Sequence, residues 1–128
     1  MDIAIIGSRD KKSLTIDTVL EKIPKDCTKI ISGGAVGVDQ LAKTASKILG
    51  VSYQEYLPNY EIYGRTAPLI RDKTIANSAQ LVLAFWDYKS NGTRFTILYC
   101  LEKKIPVKIF IIGDEGEVKF LNNFNSIE

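Results

Sequence analysis

The sequence predicts an α/β domain: a five-stranded, mainly parallel sheet with helices on both faces. Three observations carry this. Apolar runs such as Ile3–Ile6 and Leu81–Trp86 have no polar side and suit strands buried on both faces. Segments with helical periodicity separate the runs. Strands that alternate with helices join through right-handed crossovers into a parallel sheet. The chain, 1–128, reads as a single domain without repeats, low-complexity tracts or linkers. Its 128 residues can bury a core without disulfides or metals.

Taken in order, Ile3–Ile6 is the first strand and ends at Gly7. Ser13 offers an N-cap to a helix carrying Ile16, Val19, Leu20 and Ile23, which Pro24 stops. Lys29–Ser32 is the second strand. It runs into Gly33-Gly34-Ala35-Val36-Gly37. Val38, Leu41, Ala42, Ala45, Ile48 and Leu49 then form one stripe of a long helix, and Gly50 stands where a left-handed C-cap belongs. Val51–Leu57 is the third strand, ended by Pro58, and a tyrosine-rich loop, Asn59–Arg65, follows. Pro68 suits the first turn of a helix that runs to about Asn77. Leu81–Trp86 is the fourth strand, and a helix runs from the loop 87–93 to about Lys103. Pro106–Ile112 is the fifth strand. Past the turn Gly113–Gly116, residues 117–121 can return as a short antiparallel edge strand.

Composition removes several classes of chemistry. The chain has no histidine, and its two cysteines, Cys27 and Cys100, stand alone. Zinc ligation and the Ser-His-Asp and Cys-His mechanisms are therefore not expected. Both cysteines read as reduced packing residues, which suits a cytoplasmic setting. No metal or cofactor is expected. The start of the chain does not read as a signal peptide, and no apolar stretch is long enough to span a bilayer. Seventeen Lys/Arg against fifteen Asp/Glu give a net charge of +2, too mild for non-specific nucleic-acid binding.

In a parallel sheet, ligands bind beyond the carboxyl ends of the strands. Four loops end there, and each carries glycine or charge. Gly7-Ser8-Arg9 lets the backbone turn, and Arg9 can present a fork of donors to a phosphate or lie solvated. Ser32, Gly33, Gly34, Ala35 and Gly37 open the long helix and offer amides under its positive dipole end. The spacing matches neither the dinucleotide fingerprint nor a P-loop. Asp39 in the first turn fits either dipole stabilisation or a hydrogen bond to a ligand hydroxyl. Arg71 falls on the inward side of its helix. It needs a partner, whether Asp72, Asp87 or a bound anion. Arg65 can cap the pocket. Ser90, Gly92 and Thr93 form a further strand-to-helix junction. Trp86 either stacks on a base or packs in the core.

These loops resemble the SLOG superfamily, which includes Smf/DprA and the LOG phosphoribohydrolases, and most of all its small stand-alone YspA-like branch. The matching stretches are Ile5–Arg9, Ser32–Ala42, Tyr63–Arg71, Ala84–Asp87, Gly92–Ile97 and Ile105–Val107. The resemblance implies a Rossmann-like fold that binds nucleotides or nucleotide-derived molecules. The LOG motif continues to a glutamate three residues past its threonine. Here that position is Thr96, and Lys89-Ser90-Asn91 replaces Pro-Gly-Gly. YspA-like relatives often carry asparagine where Asp72 stands.

The first expectation is therefore a module that senses or sequesters a nucleotide-like ligand. The second is a nucleotide N-glycosidic hydrolase, with Asp39 or Asp87 as its carboxylate. The third, least favoured, is a single-stranded nucleic-acid binder like Smf/DprA. A homodimer or higher homo-oligomer is also expected. The helix Phe95–Leu101 is apolar around most of its circumference, which leaves Ile97, Tyr99 or Leu101 without cover. The alternative is cover from the segment around Phe120 and Phe124.

Overall fold

A computed structural model describes residues 1–121. Six strands form one sheet in the order β3-β2-β1-β4-β5-β6. They are β1 (Asp2–Gly7), β2 (Lys29–Ser32), β3 (Ser52–Glu55), β4 (Leu81–Trp86), β5 (Val107–Ile112) and β6 (Val118–Phe120). The first five run parallel, and β6 pairs antiparallel with β5. The helices are α1 (Ile16–Lys22), α2 (Val38–Leu49), α3 (Tyr60–Tyr63), α4 (Ala67–Ser78) and α5 (Asn91–Lys103).

The β1 side chains alternate between two cores. Ile3 and Ile5 join Val19, Val38, Ala42 and Ala45 under α1 and α2. Ala4 and Ile6 join Ile75, Ala76, Ile97 and Cys100 under α4 and α5. All six residues of β4 are buried, as a central strand covered on both faces requires. The chain winds outward from β1 to β3 on one side, then crosses to β4 and winds the other way. The carboxyl ends of β1 and β4 thus flank a topological switch point, where the loops part and leave a crevice.

Several boundaries differ from the sequence reading. The α1 cap is Thr15, whose Oγ1 accepts the Thr18 amide at 3.3 Å, rather than Ser13. β3 is shorter than 51–57, because its only partner, β2, has four residues. The tyrosine-rich loop contains α3, capped by Asn59. Ile97 is fully buried in the sheet core, which corrects the expectation that it lacks cover. Tyr99 and Leu101 pack at the rim of that core, and the Tyr99 hydroxyl donates to Asn77 at 3.0 Å. Phe120 packs on Phe110, in the other core, so it does not cover α5. Phe124 lies outside the described residues.

Among the described residues, no helix is long and apolar enough to cross a membrane, and no group of three His, Cys, Asp or Glu could hold a metal ion.

Candidate functional site

A cavity of about 100 Å³ opens at the switch point. The β1 loop contributes Gly7 and Arg9, the β2 loop Gly33 and Ala35, and α2 contributes Asp39. α4 provides Arg71, Asp72 and Ile75; the start of α5 provides Gly92, Thr93 and Thr96, with Ser90 as its cap. An outer lobe of about 420 Å³ shares Arg9, Arg71, Asp72, Ser90 and Gly92, and adds Asp10, Pro68, Asp87 and Lys89. The structure thus brings together residues separated by more than eighty positions.

Arg71 is held from three sides. Its Nε donates to Asp72 Oδ1 at 2.8 Å, and its Nη1 donates to the carbonyls of Gly33 at 2.8 Å and Tyr56 at 3.3 Å. Both members of the Arg71–Asp72 pair are mostly buried, with side chains 13% and 16% exposed. Of the two carboxylates considered for Arg71, the structure pairs it with Asp72. Burial raises the Asp72 pKa, and the Arg71 charge offsets part of that rise. The Thr96 hydroxyl lies beside Asp72 but donates to the Gly92 carbonyl at 3.0 Å.

Asp39 is 8% exposed. Its Oδ2 accepts the Ala35 amide at 3.1 Å. Burial pushes its pKa up to about 6, against the opposing effects of the Ala35 amide, Ser32 and Arg71. Ser32 is close enough to favour the charged form of Asp39. Its own buried Oγ nevertheless makes no hydrogen bond of good geometry among the described residues. Gly37 has a φ of +80° and passes so close to the β1 loop that a Cβ would collide with the Arg9 carbonyl.

Three of the expected site residues hold the loops in place. Ser8 is fully buried, and its Oγ accepts the Asp87 amide at 2.9 Å. Trp86 is 2% exposed, and its indole N–H donates to the Ser90 carbonyl at 2.9 Å. Its ring stacks on Tyr88 with centroids 4.6 Å apart, so it lies in the core and not on the cavity wall. Asp87 accepts the amides of Lys89 and Ser90 at 2.9 and 2.8 Å. Burial acts to raise its pKa, but these hydrogen bonds win and hold it below the usual value. Asp87 borders the outer lobe rather than the inner cavity.

Arg65 is exposed in the turn Gly64–Thr66 and does not line the cavity. Ser32 and Gly34 do not line the cavity. Asp72, Thr96, Ile6 and Ile75 line the cavity without having been expected there. The spacing from Gly92 to Thr96, one helical turn, was the available signal for Thr96.

Two helices point their N-termini at this crevice, and they differ. The first turn of α2 carries Asp39, whose carboxyl already satisfies one amide. The thirteen-residue α5 has no acidic residue in its first turn. Its cap, Ser90, takes the Thr93 amide at 3.4 Å through its side chain and the Arg94 amide at 3.1 Å through its carbonyl.

No family model matches this sequence, and no curated protein does. Among solved structures, the chain is similar to DNA processing protein A (DprA) from Streptococcus pneumoniae, with a TM-score of 0.67 at 18% identity. The match covers 84% of this chain and 49% of the other, so this chain spans about half of that protein's length. At this identity the likeness establishes a shared Rossmann-like fold.

Proposed function

We propose that this domain binds a phosphate-bearing, nucleotide-like ligand in the crevice between the carboxyl ends of β1 and β4. One observation carries the reading. A single cavity brings Arg9, and Arg71 with its partner Asp72, to the N-terminus of a long helix that has no acid of its own in its first turn. Unpaired amides and a positive dipole end make such a terminus an anion site. Arg9 stands exposed at its rim. α2 is the less favourable terminus because Asp39 already occupies it. The phosphate is therefore assigned to the Ser90–Thr93 turn and Arg9, and the glycine-rich turn 33–37 shapes the opposite wall. This agrees with the SLOG resemblance, within which the YspA-like branch is part of the proposal.

Thermal-shift and calorimetric titration with nucleoside mono-, di- and triphosphates tests it. Stabilisation by a nucleotide without released base or sugar phosphate fits a binding module. Released base would favour the hydrolase reading, with Asp39 as the carboxylate in the cavity. No stabilisation by any nucleotide would overturn the proposal.

Single-stranded nucleic acid is a second reading, favoured by the fold shared with a DNA processing protein. A salt-sensitive gel shift with short single strands would support it. Self-association is proposed at the outer face of α5, where Phe95, Leu98 and Tyr99 line a groove of about 390 Å³ with Lys73. Light scattering that shows a monomer at all concentrations would remove it.

A further inference from the structure

The short helix α3 has no buried residue. From Leu57 to Thr66 every residue is exposed except Pro58, which is half-buried. Yet the side chains are not those of a solvated turn. Leu57, Tyr60, Ile62 and Tyr63 are all exposed, and Ile62, at 68%, is the most exposed large apolar side chain among the described residues. A helix this short draws its stability from packing rather than from its own hydrogen bonds. Apolar side chains gathered so densely at a surface mark an interface, and tyrosine is among the residues enriched there.

The groove on α5 has the complementary form. Phe95, Leu98, Tyr99 and Glu102 follow the outward stripe of that helix, since Ile97 and Cys100 face the sheet. Lys73 of α4 forms the other wall, its ammonium 5.9 Å from the centre of the Phe95 ring and 5.7 Å from that of Tyr99. The charges of the two surfaces match in order. On the exposed segment Glu61 is followed four residues later by Arg65. Along the groove Lys73 is followed, one turn beyond Tyr99, by Glu102, and Arg94 adds a second base at the end away from Glu102. Glu61, Arg65, Lys73 and Glu102 form no salt bridge among the described residues. The acid and base of the exposed segment cancel, so it lacks the net positive charge that draws a nucleic acid.

Resting on the self-association proposed for α5, we propose that the groove is occupied by α3 of a second copy of this chain. Ile62 and Tyr63 of one copy seat on Phe95 and Leu98 of the other. Glu61 then meets Lys73, and Arg65 meets Glu102. In each copy α4 stands between the two surfaces. Its Ile70 and Thr74 border Tyr63, while its Lys73 and Asn77 face Phe95 and Tyr99. A twofold axis running along α4 places α3 of each copy on α5 of the other, so every contact occurs twice.

Light scattering and sedimentation of the full chain over a concentration series read the dimer dissociation constant. Ile62→Asp should raise it by about tenfold or more. Glu61→Lys and Lys73→Glu should each weaken the dimer several-fold, and the two together should restore most of the loss. Ile48→Asp, on exposed α2 surface across the sheet, should change nothing. Melting temperatures near that of the wild type identify the variants that fold. A dimer broken by Leu98→Asp but not by Ile62→Asp would overturn the α3 seat and leave self-association through α5 standing. A monomer at every concentration, or a dimer indifferent to both substitutions, would overturn both.

Discussion

Arg71 Nη1 donates to the Gly33 carbonyl at 2.8 Å, and a methyl group on Gly33 would lie 2.8 Å from that same nitrogen. The β2 loop and α4 therefore meet at a point where only a bare backbone fits. The Asp39 carboxylate stands 3.1 Å from the same position. Gly33 thus lies against both the Arg71 guanidinium and the Asp39 carboxylate. Gly33→Ala should displace Arg71, which three hydrogen bonds hold in place, and lower stability by about 1–3 kcal/mol. Urea denaturation reads the change, and an unaltered midpoint would show that the contact yields.

Arg71→Ala leaves Asp72 as an uncompensated, mostly buried carboxylate and frees two carbonyls. The expected loss is about 2–4 kcal/mol of stability. Arg71→Lys should recover only part of it, since one ammonium cannot span Asp72 and both carbonyls. A variant with unchanged melting temperature and abolished ligand binding would instead make Arg71 a ligand contact first and a structural residue second.

Gly37 and Gly92 should respond in opposite ways. At Gly37 the positive φ and the Arg9 carbonyl leave no room for a side chain, so Gly37→Ala should be strongly destabilising, by more than about 2 kcal/mol. At Gly92 a Cβ meets nothing closer than Asp72 Oδ2 at 4.0 Å, and alanine is the better helix residue. Gly92→Ala should fold as well as the wild type or a few tenths of a kcal/mol better. Its methyl group, at the assigned phosphate site, should weaken nucleotide binding. Calorimetry and thermal melts on the two variants separate these outcomes.

Asp39 makes the pH dependence specific. Its folded pKa of about 6 lies above its ordinary value of 3.8. The folded state therefore holds the proton more tightly than the unfolded chain does. The stability linked to Asp39 is complete below about pH 4 and is lost as the pH rises through 6. The groups that set this balance are Arg71 and Asp72 on α4, Ser32 at the end of β2 and the Ala35 amide. An asparagine keeps an acceptor for Ala35 and carries no charge to bury. Asp39→Asn should therefore be more stable than the wild type at pH 8, by up to about 3 kcal/mol, and should lose that advantage by pH 4. Equal melting temperatures across that range would show that Asp39 is not strained by its burial.

Much of the fold was legible because β1 and β4 are buried on both faces and so read as unbroken apolar runs. The α2 stripe and its Gly50 C-cap were equally plain, and Gly50 does adopt the left-handed conformation at φ +68°. The limits of β3 were not legible, since an edge strand ends where its partner ends and not where its own apolar residues do. Ile97 was misjudged because α5 is apolar on several sides. Only the sheet decides which side faces inward. The loops of the cavity were found from their glycines and charges. The roles within it were less visible: whether Ser8 and Trp86 touch a ligand or brace a loop depends on hydrogen bonds to Asp87 and Ser90 that no spacing encodes. Nor does the adjacency of Arg71 and Asp72 reveal that both reach one cavity.

The central claim is that the crevice between β1 and β4 is the ligand site, with the phosphate at the start of α5. Amide chemical shifts of the isotopically labelled protein, followed during titration with adenosine 5′-monophosphate, test it most directly. The expected result is saturable movement of the Arg9, Gly92 and Thr93 amides, with smaller shifts at Gly33 and Ala35. Shifts confined to the opposite edge of the sheet, around Gly50, Gln80 and Lys104, would contradict it.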